Sequence, residues 1–189
     1  MALKGIIHVF LAILANLLSA PVQMPDSVVA RVYAVVLDSF QIRAGTTSLF
    51  VYGRTVTGVG HVDDFDYRNG VRGLSPLPEG LQDDFEARRT ARSIVPPIPT
   101  RVPTLLLTDS LAATLPRPMS AAFWEEVRNR FPSRWPGLLG MIGVSPVGFS
   151  TDQQSAMVMV DHPMGTVYYL LLLRDGRWVV TRSATVREV

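Results

Sequence analysis

A chain of 189 residues, 48% hydrophobic and 18% charged, has the material for a packed core and is too apolar for wholesale disorder. A formal net charge of +2, with no basic stripe interleaved with aromatics, argues against a nucleic-acid partner. The chain has no cysteine, and its one lysine is Lys4, so thiol nucleophiles and thiolate metal sites are excluded. Beyond residue 20, lysine Schiff-base and phosphate-loop chemistry is excluded as well.

In chain order, residues 1–20 read as a signal peptide. Lys4 supplies the positive start, and Gly5 to Leu18 is an apolar run broken by His8 and Asn16. The run is shorter than the roughly 20 residues a spanning helix needs. Leu18-Ser19-Ala20 offers a small-residue exit, although Pro21 behind it opposes cleavage, so an uncleaved N-terminal anchor or a buried helix is the alternative. Pro21 also stands where a lipoprotein box requires cysteine. Residues 26–189 are expected to form a single α+β domain.

Asp26 or Ser27 is placed to cap a helix to about Phe40, with Val28, Val29, Val32, Tyr33, Val36, Leu37 and Phe40 on one face. Ser48 to Thr57 reads as a strand with Gly53 as a bulge. Gly58 to Gly80 is polar and glycine-rich and reads as a long irregular loop. Leu81 to Arg92 reads as a helix: Asp83, Asp84 and Glu86 come early and Arg88, Arg89 and Arg92 late, which suits the helix dipole, and Asp84 can pair with Arg88. Pro96, Pro97, Pro99 and Pro103 form a stiff connector to a short buried strand, Thr104 to Ser110. A further helix is expected from Ser120 to Phe131, ended by Pro132.

The C-terminal part reads as a four-stranded antiparallel meander: Leu139 to Phe149, Gln154 to Asp161, Thr166 to Arg174 and Arg177 to about Val186. Pro146 makes the first strand an edge or a site for a bulge. Asp175-Gly176 is a strong two-residue hairpin signal, because both central positions of that turn need positive φ. The turn sets Leu173 opposite Trp178, Leu172 opposite Val179 and Leu171 opposite Val180. One face then carries Tyr169, Leu171, Leu173, Trp178 and Val180. The other, with Leu170, Leu172, Val179 and Thr181, is not fully polar, and the first helix is the expected cover for part of it. The whole is about three helices packed on a mainly antiparallel sheet.

Few residues offer chemistry. Gly58-Val59-Gly60 follows a strand but has Asp63 in place of the third glycine of a dinucleotide fingerprint and an acidic loop behind it. His61, Asp63, Asp64 and Asp66 are the candidate metal ligands, and their hard oxygens would suit calcium or magnesium. The calcium-loop pattern breaks at Arg68 and Ser75, which favours a solvated loop. Gly143-Val144-Ser145-Pro146-Val147-Gly148 is one residue too long for a nucleophile elbow. A Ser145, His162 and Asp161 triad is awkward, because Asp161 and His162 are adjacent and point to opposite sides of a strand. Arg174 and Arg177 flank the hairpin turn as a solvated pair.

Phe123-Trp124, Phe131-Pro132, Pro136-Gly137, Val144-Ser145, Val147 to Ser150, Ala156 to Val160, Tyr168 to Leu172 and Asp175 to Trp178 together resemble a widespread family of uncharacterised exported bacterial proteins. Val32-Tyr33 through Leu37-Asp38-Ser39 is similar more loosely. The resemblance covers the last third of the chain best. It implies the fold and export to the periplasm or cell envelope, and it implies no activity. Members often carry two cysteines near glycines in the second hairpin, where this chain has Asp161-His162-Pro163-Met164-Gly165, so no thiol role carries over. The residues therefore favour a non-catalytic envelope protein that binds or supports a protein partner or a small ligand, with the curved sheet as one possible pocket. They imply no cofactor, and the membrane enters only through an uncleaved N-terminal segment. The alternative is a hydrolase using the His61–Asp66 loop or Ser145 with His162.

Overall fold

The computed structural model describes residues 24–45, 48–56, 64–89, 91–101, 103–114, 122, 125–126, 141–162 and 165–188. The expected signal segment, the helix expected over 120–131, and residues 139–140 of the first meander strand lie outside these, apart from three isolated helix positions.

The first helix, α1, runs Asp26–Ala44 and buries Val32, Tyr33, Val36, Leu37 and Phe40, the face the periodicity predicts. Its start differs from the expectation. No side chain caps it; the carbonyl of Pro25 accepts the Val28 and Val29 N–H groups, and Asp26 sits in the first turn, where the dipole favours a carboxylate. After β1, Leu49–Tyr52, come α2, Asp64–Leu74, and α3, Leu81–Arg89. Then follow β2, Thr104–Leu107, and a single helical turn, α4, Asp109–Ala112, whose N-cap is Thr108. Thr108 ends the strand expected to reach Ser110 because its hydroxyl accepts the Leu111 N–H.

The helix α2 corrects the long loop expected over Gly58 to Gly80. Tyr67, Val71 and Leu74 recur at four- and three-residue spacing and are all buried. Gly70 and Gly73 argue against a helix on propensity, yet both are seated hard against the sheet. A Cβ at Gly70 would collide with the Tyr168 ring, and one at Gly73 would meet the Ala184 Cβ at 2.6 Å.

The remaining strands are β3, Met141–Val144, β4, Gly148–Phe149, β5, Ser155–His162, β6, Gly165–Arg174, and β7, Arg177–Glu188. Seven strands form one mixed sheet in the order β2-β1-β3-β5-β6-β7, with β4 also paired to β5. β1 runs parallel to β2 and β3, while the meander from β3 onward is antiparallel. The last hairpin has the expected register, Leu173 opposite Trp178, Leu172 opposite Val179 and Leu171 opposite Val180. Its turn residues have positive φ, 51° at Asp175 and 72° at Gly176.

The first meander strand divides at Ser145-Pro146-Val147. Val144 pairs with Val160 and Gly148 with Met157, so three residues face two and the break is a bulge. α1 lies on one face of the sheet over Val51, Val144, Val158, Val160, Tyr169, Leu171 and Trp178. α2 and α3 lie on the other, over Met157, Met159, Tyr168, Leu170 and Val186. Of the hairpin's second face, Leu170 lies under these two helices and not under the first, Leu172 is half-buried, and Val179 is exposed. With both faces covered, β5 is buried at every position from Ser155 to Asp161, which accounts for its unbroken apolar run.

Candidate functional site

Where α2 and α3 lie side by side on the sheet, three aromatic rings join them. Tyr67 stacks with Phe85 at 6.3 Å between centroids, and both meet Tyr168 of β6 at 6.4 Å. α3 is held to the sheet from its other side by Asp84, whose Oδ2 accepts the Phe149 N–H and the Arg88 Nε–H, each at 2.8 Å. The Asp84–Arg88 pairing expected across one turn is therefore also an anchor to β4.

Outside this aromatic floor the two helices leave an open cleft of about 750 Å³. Such a volume falls in the range of small-molecule sites, roughly 300–1,000 Å³. Tyr67, Arg68, Val71 and Arg72 line it from α2, Gln82, Glu86 and Arg89 from α3, and Ser75 and Leu77 from the connector between them. Arg68 and Arg72 stand four residues apart on α2, and Gln82, Glu86 and Arg89 recur at four and three on α3, so each helix presents one stripe to the cleft.

Among the described residues, one carboxylate lies in this lining. Glu86 Oε1 accepts from the Tyr67 hydroxyl at 2.8 Å and from Gln82 Nε2 at 3.0 Å. Those two hydrogen bonds, and the nearby Arg89 guanidinium, hold the Glu86 carboxyl below the usual glutamate range. The Tyr67 phenol is pushed well above its ordinary value, by burial first and by the Glu86 carboxylate next. Arg89 sits 4.4 Å above the Tyr67 ring centroid as a cation–π partner.

Arg68 and Arg72 are different. They stand one turn apart on α2, a like-charged spacing that costs an isolated helix about 0.2–0.5 kcal/mol. Among the described residues neither has a hydrogen-bond or ion-pair partner, whereas Arg54, Arg88 and Arg101 each meet a carboxylate. The arrangement offers two guanidinium forks beside a half-apolar wall of Tyr67, Val71 and Leu77. Chemically it can hold an oxyanion. Comparison with protein-family models, with curated proteins and with solved structures finds no match to this chain.

The residues singled out from the sequence fall elsewhere. His61 and Asp63 lie outside the described residues, while Asp64 and Asp66 belong to the first turn of α2. Among the described residues no group of three or more His, Asp or Glu side chains is placed to hold a metal ion.

Ser145 is buried in the bulge. Its Oγ accepts the Met159 N–H and donates to the Pro146 carbonyl, both at 2.9 Å, and its own carbonyl accepts the Tyr33 hydroxyl. Its hydroxyl thus repairs the strand ladder at a break. His162 lies three positions further along β5 than the Met159 that faces Ser145, roughly 10 Å at strand rise. The His162 ring packs on Phe40 of α1 at 5.1 Å, and Asp161 accepts from the Thr166 hydroxyl at 2.8 Å. The structure does not bring Ser145, His162 and Asp161 together.

Sequence reasoning passed over the cleft residues because Arg68 and Arg72 sat in a segment read as loop. The signal that could have found them is the Tyr67, Val71, Leu74 spacing, which makes the segment a helix with both arginines on one side.

Proposed function

We propose that this protein is a non-catalytic binding module of the cell envelope and that its ligand site is the cleft between α2 and α3. The observation carrying the proposal is the lining of that cleft: side chains that orient and hold a ligand, with the carboxylate of Glu86 already engaged by Tyr67 and Gln82. Placement in the envelope rests on Lys4 and the apolar run to Leu18, and on the resemblance of the C-terminal part to exported bacterial proteins.

Ligand that binds the folded state raises apparent stability. A thermal-shift screen of the full chain against neutral and charged small molecules is expected to yield compounds that raise the melting temperature. That rise should disappear in Gln82→Trp, which sets an indole into the cleft from an exposed position on α3. A screen without a single stabilising compound, or stabilisation untouched by Gln82→Trp, would refute the site. Fusion of residues 1–25 to a reporter active only outside the cytoplasm tests the location; an inactive reporter would refute export.

A further inference from the structure

We infer that the cleft takes a small anionic molecule, its carboxylate or phosphate group gripped by Arg68 and Arg72, an inference that rests on the binding-module reading. Among the described residues, three guanidinium groups line the cleft against one carboxylate. That carboxylate is accounted for internally, since Glu86 is bonded by Tyr67 and Gln82 and lies near Arg89. Among the described side chains, the charge without a partner therefore lies at Arg68 and Arg72 of α2. Arg68 and Arg72 hold it on one helical stripe, without a described acidic partner for either.

The guanidinium is a planar fork that matches the two oxygens of a carboxylate or phosphate, and two forks one turn apart can share one oxyanion. Tyr67, Val71 and Leu77 supply an apolar wall beside them, so the ligand carries a planar or aliphatic part next to its charge. Tyr67 is braced for contact, its ring packed on Phe85 and Tyr168 and its hydroxyl tied to Glu86. A pre-ordered wall loses little side-chain freedom when ligand arrives.

Titration calorimetry of the full chain at low salt, with phenyl phosphate and benzoate as probes and benzyl alcohol as the neutral control, tests the inference. At least one of the two anions should bind and the alcohol should not. The preferred anion separates phosphate from carboxylate chemistry. Arg68→Gln/Arg72→Gln should weaken binding by roughly tenfold or more, the loss of charge-assisted hydrogen bonds. Arg177→Gln, which removes an equal charge at the distant hairpin, should stay within about twofold, since exposed charges beyond a Debye length are screened. Glu86→Gln should tighten binding by removing the cleft's carboxylate while keeping an acceptor for Tyr67.

Equal weakening by Arg177→Gln would show only a net-charge effect and overturn the proposal. Neutral compounds that bind in the cleft when neither anion does would overturn the anion inference and leave the binding module standing. If no compound of either kind binds, both fall. Binding only to vesicles rich in anionic lipid would replace the small ligand with a membrane surface and overturn the inference as stated.

Discussion

The serine that resembles a nucleophile is a structural repair. Pro146 cannot donate to the ladder, and the bulge leaves the Met159 N–H without a backbone carbonyl. Ser145 fills that vacancy with its own hydroxyl. Ser145→Ala should therefore cost about 1–3 kcal/mol, the penalty of a buried donor left unmade. Urea denaturation measures it. A midpoint unchanged from wild type would mean that the hydroxyl is not needed at the bulge. Legibility at this scale is uneven. The Pro146 break was readable because proline acts locally. The partner of the Ser145 hydroxyl was not, because Met159 is fourteen residues away and is brought there by the strand pairing.

Among the elements, α2 shows most plainly how packing overrides propensity. A glycine inside a helix costs about 1 kcal/mol relative to alanine, so Gly70 and Gly73 weigh toward a loop. The sheet reverses the balance: Tyr168 and Ala184 come so close that only glycine fits. Gly70→Ala should destabilise by about 1–2 kcal/mol net, overpacking of about 1–3 kcal/mol outweighing the propensity gain. Guanidinium denaturation of the variant is the check, and a rise in stability would show that α2 does not sit this close to β6. The same seating sets the width of the cleft, since α2 cannot move outward without opening the Tyr67, Phe85 and Tyr168 contacts. The hairpin of β6 and β7 is the opposite case, with turn chemistry and alternation agreeing, so its register was legible in full.

Across the whole molecule, one sheet is shared by two cores. Val158 and Val160 face α1, while Met157 and Met159, their neighbours on β5, face α2 and α3. A shared strand couples the two layers, so unfolding should be a single transition. Met159→Ala should lower stability by about 2–5 kcal/mol. It should shift two signals together: far-ultraviolet circular dichroism, and the fluorescence of Trp178 in the opposite core, isolated by Trp124→Phe and Trp135→Phe. Separated midpoints would mean that the layers melt independently. The α+β class, the meander, its last turn and the buried face of α1 followed from the sequence alone, because each rests on periodicity or turn chemistry within a few residues. Tertiary structure alone decided the parallel pairing of β1 with β2 and β3, the seating of Gly70 and Gly73 against the sheet, and the cleft that joins Arg68 and Arg72 to Glu86 and Arg89. Those features depend on contacts between segments far apart in the chain, whose energies no local pattern of residues records.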